Sequence, residues 1–440
     1  MKSIMLSTFA AWLTRFVAIM LNIVGIPLAL GHLGPSRFSL LLVVLSIGSW
    51  IGFANFGMGR VIANIVARRH KATNQFTIET VSLATGLAAG INLLLFVLAM
   101  GLFFLLLAIV PLTDVVAANY REFVISIVSL FVALSLWFFL SVFEGIDAGQ
   151  HQLYRLFVFQ FGSYVLALIV LLFVFPSHPS IWFAAYLLNL GFLMGSICHA
   201  VDVVRRNRNL FSLNFKWRWR IVKHLLLSSL DFTIISLGIG VVYQLSTGFF
   251  GVIAGPEAVV ELGIFMRLMQ SYGALVISFT YPLSNIVASK LKRREFASVI
   301  HTVRLSGILL LAGASTGAVG FLLLGNPILS FWLRSAIDLD RVFLLGASVL
   351  IVLSAVHFFL AALLVGTADI KMTARIHIVE AAAFIPIAYV LFQLYQQGGA
   401  LLAMDIVLGC GNLMMIRRLR IHPVLGELFA AQPRTAQPAA

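Results

Sequence analysis

The chain has 440 residues, of which 61% are hydrophobic and only 10% charged, and its mean hydropathy is +1.04. Soluble domains carry about a quarter charged residues, so this composition excludes a soluble enzyme. A formal charge of +14 would suit a nucleic-acid binder, but the cations sit between apolar runs, as they do in the loops of a membrane protein.

Runs long enough to cross a hydrocarbon core fall at about 8–30, 39–58, 81–110, 123–146, 154–176 and 181–201. A second set follows at about 224–252, 262–286, 303–325, 344–366, 377–394 and 399–416, the last two parted only by the turn residues Tyr395 to Gly399. Backbone groups in lipid have to be satisfied within the segment, so the runs are predicted helices. The short alternating strands of a β-barrel do not occur. The first run follows Lys2, is too long for a signal peptide and lacks a small-residue cleavage site, so it is read as a span.

Cytoplasmic loops retain Lys and Arg, which tests the scheme. With the N-terminus inside, 24 of the 30 basic residues fall on the cytoplasmic side. Only Arg37, Arg121, Arg334 and Arg341 fall outside, and Arg15 and Arg267 lie within spans. The densest basic stretch, Arg205 to Lys223, contains Trp217 and Trp219 and separates the two sets of six. It reads either as an interfacial helix on anionic headgroups or as an ordinary loop that sets topology. Cys198 and Cys410 match no metal or redox spacing and read as small core residues.

A shift of 221 residues places Gly34-Pro35 on Gly255-Pro256 and, without a gap, Asn64 to Ala67 on Asn285 to Ala288. Both blocks start at an outer Gly-Pro turn, where proline suits a first helical position, and end in a basic loop. Six spans separate equivalent points, so the repeat is parallel. The expected fold is an all-α polytopic membrane protein of about 12 transmembrane helices, as two six-helix bundles related by a pseudo-twofold axis along the membrane normal. Its expected parts are a lobe at 1–203, a basic linker at 204–223, a lobe at 224–416 and a cytoplasmic tail at 417–440.

Several segments carry a resemblance. Leu33-Gly34-Pro35-Ser36-Arg37-Phe38, Phe56-Gly57-Met58-Gly59-Arg60, Glu144-Gly145-Ile146 and Gly255-Pro256-Glu257-Ala258-Val259 with Phe265-Met266-Arg267-Leu268 resemble the polysaccharide transporter branch of the multidrug/oligosaccharidyl-lipid/polysaccharide exporter superfamily. The resemblance spans the whole chain and implies a flippase for polyprenyl-diphosphate-linked oligosaccharides that works by alternating access without ATP hydrolysis. It also implies the cytoplasmic (inner) membrane, and as partners the lipid-linked oligosaccharide, membrane lipids, a polysaccharide polymerase and glycosyltransferases; the loop charges put both termini inside. Related lipid II flippases usually carry two further helices, which this chain lacks.

No Walker pattern, catalytic Cys-His arrangement or metal-spaced cluster is visible, so neither an enzyme nor a cofactor is expected. An ionisable side chain inside a span costs several kcal/mol unless it meets protein, water or a partner. Arg15 and Arg267 are therefore candidate substrate-binding residues. A guanidinium holds phosphate by paired hydrogen bonds, and the resemblance places cavity-lining arginines on these two spans. Snorkelling to the interface is the other reading. Asp231, Glu380 and Asp405 are candidates for ion coupling or for static counter-charges. His357 reads as a hydrogen-bonded core residue, a single histidine that makes no metal set. Pro27, Pro282 and Pro386 lie inside spans as candidate hinges, and close packing accounts for most glycines. An ion-coupled multidrug exporter of the same superfamily is the alternative function. A membrane polymerase or ligase would need a large outer loop, and none is present.

Overall fold

The computed structural model describes residues 2–53, 59, 61–63, 66, 75–109, 114–150, 152–210, 218–334, 338–367 and 369–426. Most of the expected basic loop after the second run, residues 211–217 of the linker and the tail beyond 426 lie outside the described residues. The described chain is helical, with no strand among those residues. Its helices are α1 (Lys2–Phe53), α2 (Gln75–Ile109), α3 (Asp114–Ala118), α4 (Tyr120–Gly149), α5 (Tyr154–Phe173), α6 (Ile181–Leu190) and α7 (Leu193–Arg206). After the linker come α8 (Trp219–Ile253), α9 (Val260–Lys292), α10 (Phe296–Leu333), α11 (Arg341–Gly366) and α12 (Ile370–Arg420).

At 1.5 Å rise per residue, a helix as long as α1 or α12 would reach roughly 75 Å, more than twice the ~30 Å hydrocarbon core. Each is therefore divided. α1 breaks at Gly34, whose φ of 76° and ψ of 166° leave the helical region, and Pro35 restarts the helix. α12 breaks at Gln396, with φ 52° and ψ −132°, inside the Tyr395 to Gly399 turn read from the sequence. Among the described residues, nine helices are long and apolar enough to cross a membrane, and the pair α6–α7 makes a tenth. With α1 and α12 each counted as two arms, the described residues supply about twelve crossings, the expected fold class.

Three details depart from the expected runs. The sixth is bent by 50° between α6 and α7, and there the Ser163 hydroxyl donates to the Gly191 carbonyl at 2.6 Å, satisfying an acceptor at the bend. The ninth extends through Pro327 to Leu333, and its end is tied down where Leu339 N–H donates to the Asn326 side-chain oxygen at 2.9 Å. Cys198 and Cys410 are exposed, which corrects their reading as core residues. Lipid tails are as apolar as a protein core, so the apolar character of a residue in a membrane helix does not tell which side turns inward.

The repeat is visible in the backbone. Gly255 has φ 93° and ψ 150°, close to Gly34, and Pro256 opens the turn that leads into α9. The Ser36 hydroxyl donates to Glu257 Oε1 at 3.2 Å, and these two are equivalent positions under the 221-residue shift.

The chain forms two compact units, Met1–Gly240 with Gln244–Ile264, and Val241–Tyr243 with Phe265–Ala440. In the first, α1 packs on α5, α6 and α4. A clasp at the start of its second arm fixes that packing. Arg37 donates from Nη2 to Glu122 Oε1 at 2.7 Å and to the Pro179 carbonyl at 3.1 Å, and the same Glu122 oxygen accepts from Ile181 N–H at 2.6 Å. Gly59 and Gly145, the glycines of two of the resembling motifs, meet near the other end of α4. A Cβ added to Gly145 would lie 2.3 Å from the Gly59 carbonyl oxygen, so only small residues permit the approach. In the second unit α11 packs against α10 and α12, around a core that includes Leu283, Val287, Val303, Leu360 and Met415.

Candidate functional site

Arg15 lies on an exposed face of α1 beside the exposed Trp12, Leu13 and Phe16. The adjacent Thr14 is buried, and its hydroxyl is shared between the Ala10 carbonyl at 2.7 Å and the Phe157 carbonyl at 2.9 Å, which holds α1 against α5. Arg267 belongs to the other unit and is buried at 5% exposure in α9, where its Nη1 donates to Gln270 Oε1 at 2.7 Å. Of the carboxylates, Asp231 is half-buried in α8. Asp405 is half-buried in the second arm of α12, close to Gly346 of α11, and its Oδ1 is buried without a hydrogen-bond partner among the described residues.

Glu380, in the first arm of α12, is only 2% exposed and has acquired two histidines. His377 Nδ1 lies 2.7 Å from Glu380 Oε2, one turn away on the same helix, and His357 Nδ1 of α11 lies 3.6 Å from Oε1. Both imidazoles are 1% exposed, with ring centroids 5.0 Å apart. His357 Nδ1 also meets Asn412 Oδ1 at 3.1 Å, while the Asn412 amide nitrogen donates to the Leu353 carbonyl at 3.1 Å. The core reading of His357 fits this geometry, but the histidine is not single: the fold brings His377 and Glu380 to it. The spacing of His377 and Glu380, three apart on one helix face, was the legible signal.

A second buried polar cluster, absent from the sequence reading, lies in the first unit. Asp147 of α4 is fully buried and binds His199 Nε2 at 2.9 Å and Arg206 Nη2 at 2.9 Å, both from α7. Arg206 reaches Gln152 Oε1 at 2.7 Å and Asp202 Oδ2 at 2.9 Å as well, so one guanidinium ties α7 to the end of α4. Beyond the end of α12, a cleft is lined by Asp369, Arg418 and His422. Arg418 pairs with Asp369 at 2.5 Å. Burial pulls the His422 imidazole below its usual value; Asp369 opposes this and Arg418 adds to it.

The architecture is that of the MATE transporters of the MOP superfamily. Three solved structures share it over nearly their whole length. An inward-facing multidrug resistance MATE transporter superposes with a TM-score of 0.75 at 13% identity, covering 96% of this chain and 99% of its own. The eukaryotic MATE transporter AtDTX14 gives 0.72 at 14% identity, covering 96% of each chain. A MOP superfamily transporter from Pyrococcus furiosus, described as having a binding pocket of reversed polarity, gives 0.68 at 14%, covering 98% of this chain and 97% of its own. No family model matches the sequence, and no curated protein sequence matches it.

Proposed function

We propose that this chain is an ion-coupled exporter that moves amphiphilic organic compounds across the cytoplasmic membrane by alternating access, with lobes 1–203 and 224–416 as the moving parts and both termini inside. The observation that carries the reading is the end-to-end likeness to MATE transporters, one of them described as a multidrug resistance protein. This favours the ion-coupled exporter over the oligosaccharide flippase expected from the motif resemblance. Asp405 supports it: a carboxylate oxygen buried within a span without a partner among the described residues suits a group that exchanges a cation during a cycle. Asp231 is the second coupling candidate in this reading, and Glu380, held between histidines, is a counter-charge.

One observation favours a second reading, the export of a lipid-linked oligosaccharide. Arg267 keeps a buried guanidinium within a span, which suits an anionic diphosphate, with a polymerase and glycosyltransferases as partners; Arg15, on the exposed face of α1, is a separate candidate ligand in this reading.

Expression in cells stripped of their own efflux pumps distinguishes the two. The exporter reading predicts lower accumulation of a fluorescent amphiphilic cation, and loss of that effect in Asp405→Asn at equal abundance. The second predicts unchanged dye accumulation and an Arg267→Ala variant that binds its headgroup about 10- to 100-fold more weakly, since a charge-assisted hydrogen bond contributes about 1.5–3 kcal/mol. Lipid-linked intermediate would then collect on the cytoplasmic leaflet. A protein that changes neither readout overturns both.

A further inference from the structure

We propose that the Nδ1 nitrogens of His357 and His377, the Glu380 carboxylate and the Asn412 side-chain oxygen bind a single divalent transition-metal ion of the zinc class, buried between α11 and the two arms of α12. One donor atom from each of His357, His377 and Glu380 lies within 4.8 Å of the others. Their contacts converge on one carboxylate. His377 Nδ1 lies 2.7 Å from Glu380 Oε2, and His357 Nδ1 lies 3.6 Å from Glu380 Oε1. Asn412 Oδ1 stands 3.1 Å from His357 Nδ1, and its orientation is fixed because the amide nitrogen donates to the Leu353 carbonyl. Neither Nε2 takes part.

Glu380 is 2% exposed, and its Oε1 has no hydrogen-bond partner among the described residues. A bare carboxylate oxygen deep inside an apolar unit is costly unless a cation meets it. Without the ion, each neutral imidazole carries its proton on Nδ1, His377 toward Glu380 and His357 toward Asn412. With the ion, each proton moves to Nε2 and the Nδ1 lone pair turns to the metal, so no net proton is released. Both Nε2 atoms lack a partner among the described residues in either form, so the shift leaves the unpaired ring nitrogens as they were while Oε1 gains a cation. Two imidazoles beside one carboxylate also select the kind of cation. Magnesium and calcium prefer oxygen ligands, whereas imidazole suits zinc, copper, iron and nickel. Ligands at about 2.0–2.1 Å on a tetrahedral ion stand about 3.4 Å apart. The separations of 2.7, 3.1 and 3.6 Å bracket that value, so small side-chain shifts close the set. Gly411 leaves room for the carboxylate, since a Cβ there would overlap Glu380 Oε1. The proposal is independent of what the protein carries across the membrane.

The test uses the full-length, tag-free protein in detergent, stripped with chelator and dialysed against zinc, with cobalt as a spectroscopic probe. One equivalent of zinc per chain is expected, together with the visible ligand-field bands of tetrahedral cobalt. X-ray absorption at the zinc edge should show two imidazoles with oxygen neighbours. His377→Gln and Glu380→Gln should each lose the bands. Asn412→Ala keeps three donors and leaves the fourth position to water. It should bind more weakly, by at least the roughly 10-fold that a change just outside a ligand set costs. Wild-type protein, monodisperse on gel filtration, that takes up no metal would overturn the proposal. So would undiminished binding in His377→Gln and Glu380→Gln, which would place the metal on surface histidines. Should those two variants fail to fold, the wild-type stoichiometry, the absorption spectrum and the Asn412→Ala affinity still decide.

Discussion

Asp147→Ala is expected to lower the stability of the protein by about 3–5 kcal/mol, the usual consequence of removing one member of a buried ion pair. Asp147 is fully buried, and its two oxygens take hydrogen bonds from His199 and Arg206. Its loss leaves a buried imidazole and a half-buried guanidinium without their shared acceptor. Asp202→Ala is the matched control: this carboxylate also binds Arg206 but is 27% exposed, and a partly solvated pair is worth about 0–1 kcal/mol. Thermal unfolding in detergent should show a far larger drop for Asp147→Ala than for Asp202→Ala. Equal drops would mean that Asp147 is not the keystone of the α4–α7 contact.

Gly145→Val should be comparably severe, for a steric reason. The new Cβ would lie 2.3 Å from the Gly59 carbonyl oxygen and 2.9 Å from its carbonyl carbon, and these are backbone atoms that cannot rotate away. Overpacking costs typically about 1–3 kcal/mol, and the two additional methyl groups of valine place this site at or above the upper end. Gly90→Ala in α2 supplies the contrast. A Cβ there meets nothing within 4 Å, and replacing a mid-helix glycine by alanine gains up to about 1 kcal/mol. Folded yield and unfolding temperature should move in opposite directions for the two variants. A Gly145→Val protein as stable as wild type would show that the motif glycines are not a packing requirement.

Much of the fold was legible because a bilayer imposes strong constraints on sequence. Twelve apolar runs, a charge asymmetry between loops and a repeated Gly-Pro turn define the crossings, and the helix breaks at Gly34 and near Gln396 fall where the turn residues are. The bend at Gly191 was not legible, since a glycine in an apolar run is as often a packing residue as a hinge. The polar clusters were legible only in part. His377 and Glu380 share a helix face by spacing, but the approach of His357 from α11, and of His199 and Arg206 to Asp147, comes from packing between helices, which no periodicity in one helix reveals. Arg15 illustrates the same limit: its segment is apolar all round, so its turn toward the exposed face beside Trp12 and Phe16 could not be read from the pattern.

The central claim, that this fold works as an ion-coupled exporter, is tested most directly by reconstitution. Purified protein in proteoliposomes, given an imposed proton or sodium gradient, should move a fluorescent amphiphilic cation faster than protein-free vesicles. The excess flux should vanish when the gradient is collapsed and in Asp405→Asn. Flux equal to that of protein-free vesicles under both gradients, from a protein shown to be folded and inserted, would contradict the account.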